Sequence, residues 1–321
     1  MCTSCGCQGQ GTTMTNLQTG ASAEIAARPE HRHDHGHSHN ADGDRSHAHS
    51  RGKHDHGHDA HHHGHHHHGR VHGHGLGHDH SHAHGHDHGD HDHAHEDSHR
   101  RLELESRILA KNDAIAAKCR AWLAGREIVA LNFVSSPGAG KTTLLERAIA
   151  DLSGELPLFV IEGDQATSND GERIRAAGAP VVQVNTGTGC HLDAEMIARG
   201  LSELKPSVGS LVFIENVGNL VCPALFDLGE RAKAVIFSTT EGEDKPLKYP
   251  HMFSAAKLVI FNKIDLLPHL DFSMEQAREN ALRINPDIEI VEVSARTGAG
   301  MPTLYNWIRA QRMAARQLDV I

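Results

Sequence analysis

Aromatic residues make up only 4% of this 321-residue chain, and no basic stripe interleaves with them. A nucleic-acid surface built from stacking and phosphate contacts is therefore not expected. No apolar run approaches the ~18 residues of a membrane span, and the N-terminal "MCTSCGCQGQG" has no apolar leader core. A soluble, cytoplasmic protein without membrane partners is the expectation. Cysteine is sparse as well: Cys2, Cys5, Cys7, Cys119, Cys190 and Cys222, three of them within the first seven residues. In so long a chain that clustering fits reduced thiols serving as metal ligands better than a disulfide framework.

Histidine, by contrast, is abundant. The tract from His31 to His99 holds all but three of the 32 histidines, set among Gly, Asp, Ser and Ala. Such a segment has too little apolar surface to offset the chain entropy lost on ordering, so it is expected to be disordered and to bind divalent ions through its imidazoles. The formal charge of −10 counts every His as neutral, so its sign depends on pH and bound metal and implies no acidic or basic partner. Residues 1–30 then read as a Cys-led arm, 31–99 as the His-rich tract and 100–321 as one ordinary domain.

Within that domain, Leu102, Ile108, Leu109, Ile115, Cys119 and Trp122 recur at helical spacing, as expected of a docking helix with Cys119 in its core face. Seven runs follow: "EIVALNFV", "LPLFVIEGD", "APVVQVN", "GSLVFIEN", "KAVIFSTT", "KLVIFNK" and "IEIVEVS", with helical stretches between several of them. Each is apolar on both parities, as strands covered on two faces should be. The fold class expected is α/β, a P-loop doubly wound and mostly parallel sheet preceded by a disordered metal-binding N-terminal region.

"LNFVSSPGAGKTTLLERAI" reads as strand, glycine-containing turn and helix. Backbone N–H groups around Gly138 and Gly140 and the helix N-terminus would cradle phosphate, with Thr143 in the first turn; Lys141 would reach the β/γ oxygens, and the Thr142 hydroxyl would bind Mg²⁺. Ser135 stands where the strict pattern has Gly, which leaves the shape of the first turn open. About 120 residues on, "LVIFNKIDLL" ends in Asn262, Lys263 and Asp265. A carboxylate there can accept from guanine's ring N–H and exocyclic amine, a pair adenine does not offer at that edge. "VEVSARTG" adds Ser294 and Ala295, whose backbone can contact the base. GTP is the expected ligand. Between these motifs, Asp164 and Glu215 at strand ends can hold Mg²⁺ directly or through water, and Gly218 could let its N–H approach a γ-phosphate.

"NTGTGCHLDA" sets Cys190 beside His191, and Cys222 in "ENVGNLVCP" follows another strand just beyond Gly218. Strands ending on one sheet edge bring these loops together, so two thiolates and an imidazole can converge next to the nucleotide, a set suited to Zn²⁺ or Ni²⁺. The plain alternative is two small buried thiols and a surface histidine. At the N-terminus, Cys2, Cys5 and Cys7 with the chain's amine could complete four ligands, planar for Ni²⁺ or tetrahedral for Zn²⁺.

With these residues assembled, the chain resembles the HypB family of hydrogenase nickel incorporation GTPases over 100–321 and at the extreme N-terminus. "MCTSCGC", "SSPGAGKTTLL", "IEGDQATSND", "NTGTGCHLDA", "FIENVGNLVCPALFDLGE", "FNKIDLLP" and "VSARTG" carry the likeness. The resemblance implies a SIMIBI-class, Mg²⁺-dependent GTPase that hydrolyses GTP slowly and forms a nucleotide- or metal-dependent homodimer. It implies work with a HypA-type nickel protein to deliver nickel to the [NiFe]-hydrogenase large subunit precursor. It implies a tight nickel site on Cys2, Cys5 and Cys7, and a nickel or zinc site on Cys190, His191 and Cys222. Two other readings stand beside it: a nickel storage and detoxification protein whose GTPase domain is secondary, and a urease-type nickel GTPase, against which the N-terminal cysteines and the Cys190–His191 pair argue.

Overall fold

The computed structural model describes residues 12–25, 92–165 and 169–316. Cys2, Cys5, Cys7 and all of the His-rich tract before Asp92 lie outside them.

Nine strands form one sheet: β1 Thr13–Asn16, β2 Ser22–Glu24, β3 Val129–Ser135, β4 Leu158–Asp164, β5 Val181–Asn185, β6 Leu211–Glu215, β7 Ala232–Ser238, β8 Leu258–Asn262 and β9 Glu289–Glu292. Their spatial order is β2-β1-β5-β4-β6-β3-β7-β8-β9. The pairs from β5 to β9 are all parallel, whereas β1 runs antiparallel to both β2 and β5. All seven strand runs expected from the sequence are present, and the mostly parallel α/β sheet is as expected. The hairpin is an addition: residues assigned to a Cys-led arm extend the sheet edge through main-chain bonds.

Helices α1 Asp92–Ala124, α2 Lys141–Leu152, α3 Asn169–Ala176, α4 Ala194–Leu204, α5 Cys222–Leu225, α6 Lys245–Lys248, α7 Pro250–Ala255, α8 Met274–Ile284 and α9 Met301–Arg316 cover both faces, with a 3₁₀ turn at Ile264–His269. Strand side chains alternate between two packed layers. Leu131 and Phe133 of β3 join Leu145 and Ile149 of α2 and Leu304 and Ile308 of α9 on one face. On the other, Ala130 joins Ile197 and Leu201 of α4 and Leu123 of α1. Val134, Phe237 and Phe261 meet α7 and α8 at the far end of that face.

Two expectations about α1 need correction. It begins at Asp92, inside the expected tract, because no Gly or Pro follows Gly89 to interrupt it. Leu102 is 65% exposed and takes no part in docking. The helix seats through Ala116, Cys119 and Leu123, with Ile108, Leu109 and Trp122 of the expected face packed against the core, and Asn112 accepts from Ala194 N at 2.9 Å while donating to Asp227 O at 2.8 Å. Cys119 is buried, as expected of a core thiol.

Candidate phosphate cleft and metal centre

Parallel strands end on one edge, and the described candidate residues lie at or after those strand ends. A cleft of about 420 Å³ lies between the loop after β3, the end of β4 and the segment after β6. Ser136 to Thr143, Asp164 and Gly218 are among the residues that line it. Ser135 ends β3 in register with Ile236, and positive φ among the described non-glycine residues is confined to Glu127, Lys205 and Lys263. The first loop position is thus ordinary strand backbone, and serine substitutes for glycine there without strain.

Gly140 does require glycine. Its φ is +89°, and a Cβ would fall 2.7 Å from Asn262 Nδ2. That close approach is what the Asn262 amide uses: Nδ2 donates to Ala139 O at 2.9 Å, and Oδ1 accepts from Ala295 N at 3.1 Å. Asn262, 1% exposed, therefore staples the phosphate loop to the Ser294–Ala295 turn. The backbone N–H of Ala295 is spent on this staple, where the sequence suggested it for the base. Lys263, at φ +66°, bends back so that its ammonium donates to Gly138 O at 2.6 Å. Asp265 lies half-exposed in the 3₁₀ turn beyond, and Ser294 is buried with its Oγ accepting from Thr297 N at 3.1 Å.

On the cleft's other wall, Thr142 Oγ1 donates to Glu215 Oε1 at 2.6 Å. Lys141 Nζ donates to Asn216 O at 2.5 Å and lies 3.4 Å from the Glu215 carboxylate. Burial pushes the Glu215 carboxyl upward in pKa, opposed by the Lys141 charge. Glu162 was missed by the sequence reading: it sits in register with Glu215 on the neighbouring strand, 1% exposed. Burial first, and the Glu215 charge second, raise its pKa well above the usual carboxylate range. Arg173, also missed, lines the cleft from α3 and donates to Thr143 Oγ1 at 3.0 Å and to the Glu146 carboxylate. A charged residue inside an apolar run, as in "FVIEGD", was the available signal for Glu162; nothing local announced Arg173.

Cys190, His191 and Cys222 do converge: one ligand atom from each lies within 4.8 Å of the others. Cys190 Sγ is 2.9 Å from Cys222 Sγ and 3.6 Å from His191 Nδ1. The imidazole is 8% exposed and stacks on Phe226 with centroids 3.9 Å apart. Burial lowers its pKa to about 4, so at neutral pH it is an uncharged nitrogen donor. Asp193, two residues after His191, accepts from Met196 N at 2.8 Å, caps α4 and fixes the loop's exit. Asn219 Nδ2 holds Cys190 O at 3.3 Å from the other side.

Residues 129–292 match the family model described as CobW/HypB/UreG, nucleotide-binding domain. The hydrogenase maturation factor HypB of Rhizobium leguminosarum bv. viciae is 58% identical over 217 residues, 67% of this chain and 73% of that protein. The Escherichia coli K12 protein of the same description is 55% identical over 215 residues, 67% of this chain and 74% of its own length. Among solved structures, HypB from Helicobacter pylori in complex with nickel superposes with a TM-score of 0.60 at 37% identity, covering 64% of this chain and 96% of that one.

Proposed function

Because the chain belongs to the HypB family of hydrogenase maturation factors, we propose that it is a GTP-hydrolysing metallochaperone that inserts nickel during [NiFe]-hydrogenase maturation. One observation carries this reading. A single short segment, Glu215 to Cys222, begins on the phosphate-loop residues Lys141 and Thr142 and ends on a ligand of the Cys190–His191–Cys222 cluster. Whatever the loop binds is therefore mechanically adjacent to whatever the cluster holds.

GTP lies with its phosphates on the backbone N–H groups from Gly138 to Thr143 and on the N-terminus of α2. The Lys141 ammonium neutralises the β/γ oxygens, Gly218 N–H approaches the γ-phosphate, and the Asp265 carboxylate selects guanine. The donor set fits Mg²⁺: Thr142 contributes a hydroxyl, and Glu215 Oε2 is buried with no hydrogen-bond partner among the described residues, with Asp164 lining the cleft. Thr142, Glu215 and Asp164 would hold that ion, which would supply charge neutralisation at the phosphates.

Nickel is the cargo. Two thiolates and a neutral imidazole are soft donors that accept Ni²⁺ or Zn²⁺, and three ligands leave a position open for transfer. A nucleotide- or metal-dependent homodimer would bring two such sets together. A HypA-type nickel protein and the hydrogenase large subunit precursor are the partners, in the cytoplasm. Cys2, Cys5 and Cys7 form a separate tight nickel site, and the His-rich tract stores nickel. The test is a pair of variants. Lys141→Ala abolishes GTP turnover and keeps nickel binding at the N-terminus; Cys190→Ser keeps GDP binding and removes one nickel or zinc equivalent. Retained turnover in the first, or unchanged metal stoichiometry in the second, contradicts the assignment.

A further inference from the structure

An asparagine in the middle of an apolar sheet is costly unless its polar atoms are satisfied, and two buried asparagines sit side by side beneath the cleft. Asn132 of β3 is fully buried and Asn216, the residue after β6, is 1% exposed. Asn216 is bonded in two directions at once. Its main-chain carbonyl accepts from Lys141 Nζ at 2.5 Å. Its side-chain Oδ1 accepts from Leu192 N, the residue directly after Cys190 and His191, at 3.2 Å, and from Val217 N at 3.0 Å.

The amide nitrogen continues the chain of contacts. Asn216 Nδ2 donates to Asn132 Oδ1 at 3.3 Å, and Asn132 Nδ2 donates to Glu230 Oε1 at 3.1 Å. Glu230 lies 3.8 Å from Lys233 Nζ. That buried ammonium donates to Pro223 O at 2.7 Å and Phe226 O at 3.3 Å, bracketing α5, whose first residue is Cys222. Asn219 adds the last link: it donates to Cys190 O at 3.3 Å and accepts from Val221 N at 2.8 Å. The Cys190–His191 half of the cluster thus hangs on the residue whose carbonyl the phosphate-loop lysine grips, while Lys233 anchors the Cys222 half.

We propose that Asn216 is the positioning residue that couples phosphate occupancy of the loop to the spacing of Cys190 and His191 against Cys222. The inference rests on the metal-site reading above. A ligand shifts an equilibrium only through a contact that differs between two states, and here that contact is the Lys141–Asn216 bond. Phosphate oxygens in the loop compete for the same ammonium. Its departure frees the Asn216 peptide, and the Asn216 side chain carries the change to Leu192 N, while Lys233 holds α5 and Cys222 in place. Linkage makes the effect reciprocal: metal that clamps Cys190 to Cys222 alters phosphate affinity by the same factor.

The experiment measures the affinities of the full chain for GDP and for a non-hydrolysable GTP analogue, with and without Ni²⁺. The nickel-induced change in their ratio is the coupling, and Cys190→Ser isolates the part that belongs to this cluster, apart from the N-terminal thiols and the His-rich tract. Wild type should show a change of about fivefold or more. Asn216→Ala should lose as much of it as Cys190→Ser does while keeping the Cys190-dependent thiolate-to-nickel absorption band. The double variant should lose nothing further.

Survival of the wild-type change in Asn216→Ala overturns the inference, as does its abolition instead by Thr186→Val, which cuts the separate link from Asp164 O to the Gly189 carbonyl. Should Asn216→Ala fail to fold, half-buried Asn219→Ala replaces it: a reduced change supports the relay and an undiminished one refutes it. A nickel band indifferent to Cys190→Ser overturns the metal-site reading, and this inference with it. A Cys190-dependent band whose coupling ignores Asn216 overturns this inference alone.

Discussion

Asn262→Ala separates scaffolding from base recognition. The native amide satisfies two backbone groups that no other described contact reaches: the Ala139 carbonyl at 2.9 Å and the Ala295 N–H at 3.1 Å. Truncation leaves both unpaired beside a side chain that is 1% exposed. An unsatisfied buried group costs about 1–3 kcal/mol, and with partial entry of water the pair should cost ~3 kcal/mol. In a domain of this size each kcal/mol moves the midpoint by roughly 2–4 °C, so a fall of about 6–12 °C is expected for the nucleotide-free protein. Scanning calorimetry of the nucleotide-free variant, followed by GDP titration, reads both consequences. Asp265→Ala is the contrast: that half-exposed carboxylate lies outside the staple, so its loss should weaken GDP binding and leave the midpoint within about 2 °C, as for a typical surface change. An Asn262→Ala protein with unchanged stability and weakened GDP binding would show that the amide serves the base and that the staple is not structural.

Two further outcomes follow from the cleft's geometry. Gly140→Ala places a methyl 2.7 Å from Asn262 Nδ2 at φ +89°, combining ~1–2 kcal/mol of left-handed strain with displacement of the staple, so GDP affinity should drop at least about tenfold. Gly138→Ala, at φ +76° with nothing within 4 Å, should suffer the strain alone, and equal losses in the two would refute the contact. Glu162 titrates with a raised pKa in the folded state, from burial first and Glu215 second. Its stabilising contribution is therefore fully present below the unfolded carboxyl value and is lost as pH rises through the folded one. Glu162→Gln removes that titration, so melting curves of the nucleotide-free variant from pH 5 to pH 8 should fall less steeply with pH than the wild type's; parallel slopes would contradict it.

The strands were legible because burial on two faces writes itself as unbroken apolar runs, and all seven central ones could be placed from such runs. The β1–β2 hairpin was not. "TMTN" and "SAE" are short and largely polar; β1 joins the sheet through backbone pairing with β5 and β2 through pairing with β1, which leaves little hydrophobic signature. The convergence of Cys190 with Cys222 followed from strand ends sharing one edge. The cleft's inner polar network did not. Asn216 meets Asn132 and Leu192 across long sequence separations, so its importance lies in tertiary pairing that no local pattern encodes. Ser135 illustrates the converse: the sequence departs from the strict loop motif, yet the backbone at that position is plain strand and needs no glycine.

The central claim is that the nucleotide state governs a metal held by Cys190, His191 and Cys222. Titration of the full chain with nickel, in GDP and again in a non-hydrolysable GTP analogue, tests it most directly when repeated on Cys190→Ser and Cys222→Ser. The account predicts one class of sites whose affinity differs between the two nucleotides and which disappears in both variants. Identical nickel isotherms in the two nucleotides, or a nucleotide-dependent class that survives both substitutions, would contradict it.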